Sequence, residues 1–429
     1  MQTPLIDVSL SKSLVATDDT VTVDVVVRIV PPLPQAQAVR PPLNLGLVLD
    51  RSGSMSGHAK LPYAIGAAVY AVEQLLPTDR VSVTLYDNRI ETPVQSTLAT
   101  DKPAIIKAFR NAGPGGSTDL HGGWSNGMTQ VRAYLEKNAV NRVLLLSDGL
   151  ANVGVTDPNQ IARGVAEALG QGISTSTIGV GNDYNEHLML QIAQSGGGNY
   201  YFVHDPAGFQ DLFQSELHGL MNLMGTKVSL GVEGVAGVTV VDQLNDFERL
   251  PTGNYKLPEM VAGIPVPAVF RLKAGPMLEH GNLCKIRLAW DDPSTGRRHS
   301  LKIDVPLHTP IPVAEWNKLE TNTEVTRQVG LLFNARAQRE FSQAVEQGDE
   351  KLAKHLLEQN LELLKNLPES VEILEELAYV QSTAQVYMTD ALHARKRGHY
   401  RSQARRNALL GKIQRNPKEE PPSSPPGQP

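Results

Sequence analysis

One cysteine, Cys284, stands in a chain of 429 residues. A lone thiol excludes an internal disulfide and any cysteine-built zinc site, suits a reducing compartment, and is expected as a small core residue. Long apolar runs are missing too: none approaches the ~20 residues of a membrane helix. The start, Met1-Gln2-Thr3-Pro4-Leu5-Ile6-Asp7, has neither the basic opening nor the apolar stretch of a signal peptide. These absences lead us to expect a cytoplasmic protein with no membrane span. Charge of one sign is not in excess: 40 Lys and Arg face 45 Asp and Glu, which gives no whole-protein case for nucleic acid. No His-Glu-x-x-His occurs, and His280, His299 and His308 read as ordinary surface residues near expected strands and turns.

What is present is the composition of a globular protein, 41% apolar and 20% charged, at a length that suggests two or three compact units. Val21, Val23, Val25 and Val27 alternate with other residues, the period of a strand, before Pro31-Pro32-Leu33-Pro34 through Pro41-Pro42 breaks any ladder. From residue 43 the pattern becomes short apolar runs (Leu45–Leu49, Val81–Tyr86, Arg142–Leu146, Ser174–Ile178, Tyr200–Val203) separated by helix-length amphipathic segments near 59–76, 120–138, 158–170, 185–194 and 207–224. Continuous apolar strands alternating with helices predict an α/β fold, a mostly parallel, doubly wound sheet covered on both faces. Ile90–Thr97 is more polar and close behind its neighbour, and is expected as an antiparallel edge strand. Period-two strands return over 226–307, followed by helices that Pro368 divides into at least two. The expected organisation is therefore N-terminal strands over 1–42 that join a β-sandwich over 225–313, with the α/β domain (43–224) inserted between them. A helical hairpin or bundle (314–414) and a disordered Pro- and Ser-rich tail (415–429) follow.

The chemistry concentrates where strands end. Leu45-Gly46-Leu47-Val48-Leu49-Asp50-Arg51-Ser52-Gly53-Ser54 places one carboxylate and two hydroxyls, spaced by single residues, after a buried strand. Ligand sites of open α/β sheets lie at the carboxyl ends of parallel strands. Gly115-Gly116-Ser117-Thr118-Asp119 is a loop before a helix, and Leu144-Leu145-Leu146-Ser147-Asp148-Gly149 is a second strand ending in aspartate. Hard oxygen donors of this kind suit Mg²⁺ or Mn²⁺ with waters completing an octahedron. A serine-rich strand end alone is more often a helix cap than a ligand set; Thr118 and Asp148 tip the reading towards metal. Asp87 and Asp119 are candidates for holding the ligands from behind, Asp119 equally a helix residue favoured by the dipole.

In this order and placement, the three motifs resemble those of von Willebrand factor A-type domains, and the resemblance covers residues 43–224. Gly179-Val180-Gly181-Asn182-Asp183 and Ala193-Gln194-Ser195-Gly196-Gly197-Gly198-Asn199-Tyr200-Tyr201 resemble the later part of that fold in bacterial members. The flanking strands and helical tail look like the multi-domain bacterial group in which the A domain is embedded in a β-sandwich. The resemblance implies a metal-ion-dependent adhesion site formed by Asp50, Ser52, Ser54, Thr118 and Asp148, the hydroxyls ligating directly and the aspartates often through water. Its cofactor would be Mg²⁺, with Mn²⁺ or Ca²⁺ as alternatives. It further implies a non-enzymatic module that binds a protein partner's Asp or Glu carboxylate. The alternative is a subunit of an AAA+ remodelling complex of MoxR or chelatase type.

Other chemistries fit less well. No lysine follows Gly113–Gly116 as in a P-loop, and Met55 stands where a hydrolase elbow needs serine. A metal-dependent hydrolase is disfavoured because no His, Glu or Lys accompanies the cluster as a general base. Arg395-Lys396-Arg397-Gly398-His399-Tyr400-Arg401 with Arg405-Arg406 forms a basic end behind Glu-rich helices; it reads as a helix packed on them or a solvated face or, less well, as a surface for an anionic partner.

Overall fold

A computed structural model describes residues 3–33, 40–181, 184–235, 237–276, 281–307 and 309–408. The expected tail, His280, His308 and the Asn182-Asp183 pair lie outside the described residues. Two strands, β1 (Leu5–Leu10) and β2 (Val21–Val30), open the chain. The α/β unit follows: β3 (Leu43–Asp50), α1 (Lys60–Gln74), β4 (Arg80–Tyr86), β5 (Ile90–Leu98), α2 (Lys102–Phe109), α3 (Leu120–Arg132), β6 (Val140–Ser147), α4 (Pro158–Gly170), β7 (Ile173–Val180), α5 (Glu186–Ser195), β8 (Gly197–Val203) and α6 (Phe209–Met221). Strands β9 (Leu223–Gly234), β10 (Val238–Gln243), β11 (Tyr255–Lys256), β12 (Met260–Val261), β13 (Val266–Ala274), β14 (Gly281–Asp291) and β15 (Arg298–Leu307) come next. Helices α7 (Val313–Trp316), α8 (Thr323–Glu346), α9 (Glu350–Lys365), α10 (Val371–Tyr387) and α11 (Ala391–Arg406) close the described chain.

The α/β sheet runs β5-β4-β3-β6-β7-β8, parallel except for β5, which pairs antiparallel with β4 at one edge. Alternating residues of one strand feed two cores, as the pleat requires. Leu43, Leu45, Leu47 and Leu49 face α1 and α6, whereas Val48, with Val143 and Leu145 of β6, packs among Trp124, Val131 and Ile161 from α3 and α4. Gly46 is what lets α3 lie close: a Cβ there would sit 2.9 Å from Val131 Cγ2 and 3.1 Å from the Gly127 carbonyl oxygen. The central strands β3 and β6 sit between these layers, so their carboxyl ends open together at one edge.

Strands β1-β2-β13-β10 form one antiparallel sheet, and β11-β9-β14-β15, with β12 on β9, form another. Their inward residues, among them Val23, Val25 and Phe270 from the first and Leu230, Ile286 and Leu288 from the second, share one core. Strand β2 pairs with β13 from Val21 beside Ala274 to Ile29 beside Val266, across the whole inserted α/β unit. The opposite face of that pair, Val26 and Val269, is covered by Val325, Val329 and Leu332 of α8.

The basic end of the chain is a packed element. Glu376 of α10, fully buried, accepts from Arg401 Nε at 3.0 Å and Arg405 Nη2 at 2.6 Å. Burial resists its ionisation, but the two guanidiniums outweigh that and hold its carboxyl below the usual range. Lys396, also fully buried, donates to Glu186 of α5 at 2.8 Å and to the Tyr184 carbonyl at 2.7 Å, which ties α11 to the α/β unit. Among the described residues no helix is long and apolar enough to cross a membrane.

Candidate metal centre

Asp50 ends β3 as a fully buried carboxylate. Its Oδ1 accepts the Ser52 amide at 2.7 Å and its Oδ2 the Ser147 hydroxyl at 2.7 Å. Burial pushes this carboxyl up to about 6, with Asp148 adding to the rise, while the bonds from Ser52 and Ser147 restrain it. Asp148, at the end of the neighbouring β6, is also fully buried, and the Ser54 hydroxyl donates to its Oδ1 at 2.6 Å. Ser52 Oγ and Ser54 Oγ lie 3.1 Å apart.

Thr118 arrives from another segment. Its loop is laced to the first one by Gly115 N donating to the Arg51 carbonyl at 2.6 Å and Gly53 N to the Gly116 carbonyl at 2.8 Å. The Asn152 side chain accepts the Thr118 amide at 2.8 Å. The convergence is visible at Gly149: a methyl placed there would lie 3.3 Å from Thr118 Oγ1, 3.5 Å from Ser54 Oγ and 4.0 Å from Ser52 Oγ. Three hydroxyls thus close around one point, backed by two carboxylates. Among the described residues no group of three or more His, Cys, Asp or Glu side chains forms a metal cluster, so a cation centre among them would depend on hydroxyl donors. The donor chemistry fits a hard divalent cation, since two buried carboxylates raise each other's need for positive charge and the hydroxyls supply neutral oxygens.

The two outlying aspartates differ in what they touch. Asp87 lies behind the Thr118 loop: its Oδ2 meets Arg51 Nε at 3.3 Å and accepts the Gly116 amide at 3.3 Å. Asp119 caps α3, its Oδ1 accepting the Gly122 amide at 2.8 Å, and that cap accounts for it without a ligand role. One expectation needs correction. A lysine does accompany the cluster: Lys60 Nζ donates to Asp148 Oδ2 at 2.6 Å. It lies outside the motif in sequence, and the chain returns there through His58 and Ala59, both left-handed with φ of 51° and 54°. Its pairing with a carboxylate argues against a general-base role. Ser147 and Asn152 were likewise missed as positioning residues. Ser147 stands inside the strand-end motif beside Asp148, whereas Asn152 carried no local signal.

Residues 44–215, which run from β3 into α6, match the model of the von Willebrand factor type A domain. Sequence match and fold together place this segment in that family. The uncharacterized Escherichia coli (strain K12) protein YfbK is 32% identical over 213 residues, 49% of this chain and 37% of that protein. The match therefore spans little more than a third of that relative's length. The uncharacterized Synechocystis sp. protein sll0103 is 25% identical over 326 residues, 69% of this chain and 72% of that protein. Among solved structures, a von Willebrand factor type A protein from Catenulispora acidiphila superposes with a TM-score of 0.68 at 16% identity, over 89% of this chain and 90% of its own. At that identity it speaks for the fold alone, but it covers the sheets and helices outside the A domain as well.

Proposed function

We propose that this protein is a non-enzymatic interaction module that binds a divalent cation, Mg²⁺ in the first place and Mn²⁺ or Ca²⁺ as alternatives, and through it an Asp or Glu carboxylate of a protein partner. The observation that carries the reading is the convergence of Ser52, Ser54 and Thr118 hydroxyls on one point between Asp50 and Asp148. Ser52, Ser54 and Thr118 would hold the ion directly, and Asp50 and Asp148 would balance its charge. A cation bound there supplies a Lewis-acid position that an incoming carboxylate can complete. The protein's own part is rigidity. The Asp50 and Asp148 oxygens are fixed by Ser147, the Ser52 amide and Ser54, and Thr118 by Asn152. Such preorganisation lowers the ordering required on binding.

The test pairs cation binding with partner capture. Mg²⁺ or Mn²⁺ titrated into wild type should give a saturable calorimetric signal that Ser52→Ala and Asp148→Ala lose, with little change in far-UV circular dichroism. Partner recovery from a lysate should need Mg²⁺ and disappear in EDTA and in the Asp50→Ala variant. Equal recovery in EDTA would sink the carboxylate-bridge reading. An AAA+ ATPase as the Mg²⁺-dependent partner would select the remodelling-complex form of it.

A further inference from the structure

We infer that Lys60 is a built-in counter-cation of this centre, competing with the divalent ion for Asp148 and thereby setting the site's affinity. The inference rests on the reading of the site as a cation centre, and goes beyond it by giving the site an occupant of its own.

Lys60 is the first residue of α1, where the helix dipole disfavours a positive charge. It is buried, with a side chain only 9% exposed, although lysine is among the residues least often found inside a protein. Two successive left-handed, non-glycine residues, His58 and Ala59, precede it, a conformation that alanine rarely adopts and that must be held by its surroundings. Helix stability therefore explains neither the residue nor the backbone that delivers it. Asp148 explains both, because the ammonium lies 2.6 Å from its Oδ2 while Ser54 occupies Oδ1. Both oxygens of that carboxylate are thus engaged within the chain. The ammonium also lies near the residue that follows β7, since a Cβ built on Gly181 would sit 3.5 Å from Lys60 Nζ. This is the same strand-end face onto which the hydroxyls converge.

Two carboxylates buried side by side without a cation would repel each other and lack solvation. Lys60 supplies one positive charge in that state. A divalent ion entering beside Asp148 must then work against the ammonium's charge or displace it, so the lysine keeps the centre folded when empty and makes loading dependent on cation concentration. A merely structural ion pair would stabilise the empty and loaded protein alike.

The experiment is a calorimetric Mg²⁺ and Mn²⁺ titration of wild type, Lys60→Met, Lys60→Gln and Lys60→Arg in the full chain, with melting temperatures recorded in EDTA and in saturating Mg²⁺. The neutral variants should bind both ions at least about tenfold more tightly, the scale on which residues around a metal tune its affinity. They should melt lower in EDTA and recover in Mg²⁺, so that the gap between the two conditions widens; Lys60→Arg should stay near wild type. On the unaltered protein, acylation of Lys60, followed by peptide mass spectrometry, should quicken when Mg²⁺ is added. If wild type binds the ions and the neutral variants bind them no more tightly, or acylation of Lys60 is indifferent to Mg²⁺, the counter-cation role is overturned while the cation centre stands. If neither wild type nor the neutral variants bind either ion, the cation centre itself falls.

Discussion

At Gly115 the room for a side chain is already taken: an added Cβ would lie 1.6 Å from Asp87 Oδ2. Gly115→Ala must therefore push the Asp87 carboxylate off Arg51 and the Gly116 amide, or lift the loop that ends in Thr118. We expect a loss of roughly 1–3 kcal/mol in denaturant unfolding, the scale of an overpacked site, together with weaker Mg²⁺ binding than wild type. Unchanged affinity would mean that the Thr118 hydroxyl does not depend on this loop. The five clustered side chains were legible in the sequence because Asp50, Ser52 and Ser54 follow the apolar run Leu45–Leu49 at alternate positions, Asp148 follows Leu144–Leu146, and Thr118 follows the Gly115-Gly116 pair. Lys60 was not, because nothing in Ser56-Gly57-His58-Ala59 announces two consecutive left-handed residues. Asp119 was legible equally as a support for the ligands and as an acidic residue at a helix start; that its carboxylate accepts the Gly122 amide is a matter of side-chain geometry.

Elements were read as far as their patterns ran. Long strands and helices of the α/β unit show a clean period, and so does the antiparallel edge β5. Helix α2 was missed: it has eight residues with proline in its first turn, and only Ile105 and Phe109 are buried, one turn's worth of pattern. Strands β11 and β12, two residues each, are too short to show any alternation. Helix α11 was read as a basic stretch, and the structure gives its charges partners in Glu186, Glu346, Glu376 and Asp246. Its histidines should make the docking pH-sensitive. His393 stacks on His204 of the α/β unit with centroids 3.6 Å apart, and His399 faces His187 and Tyr200. Burial first, then neighbouring positive charge, lowers His393 and His399 from 6.5 to about 4. The unfolded chain thus binds more protons than the folded one between those values, so stability is full above about 6.5 and falls as pH drops towards 4. Asp50, raised to about 6, pulls the other way, and the comparison must therefore be with a variant. His393→Gln combined with His399→Gln should flatten the melting-temperature profile between pH 6.5 and 4.5 relative to wild type. Parallel profiles would show that α11 stays docked whatever these rings carry.

The whole molecule is tied by contacts between residues remote in sequence. Strand β2 lies in the middle of its sheet, with β1 on one side and β13 on the other, although the entire α/β unit separates β2 from β13 in sequence. Helix α8 lies over that pair, and Arg28 of β2 meets Glu324 of α8 at 2.7 Å. Arg142, fully buried at the foot of β6, donates to Glu259 of the two-sheet unit at 2.5 Å. Lys396 of α11 closes the circuit on Glu186. Removing residues 1–30 should accordingly damage the far end of the chain more than its neighbour. Val21, Val23, Val25, Val26, Val27 and Ile29 are all buried. At roughly 1.5–3 kcal/mol for each side chain, their removal rivals the roughly 5–15 kcal/mol that holds a whole domain together. Strand β13 would be left as an apolar edge, and α8 would lose Val26 and Arg28 as partners. Proteolysis followed by mass spectrometry should therefore find early cleavage within 223–346 in the truncated chain, while 43–222 persists as a resistant fragment. Calorimetry should show the unfolding of the truncated chain split or shifted down relative to the intact protein. A truncated chain that melts and resists protease like the full one would mean that β13, β10 and α8 hold together without the strand between them, and the N-terminal strands would then be an accessory to the fold.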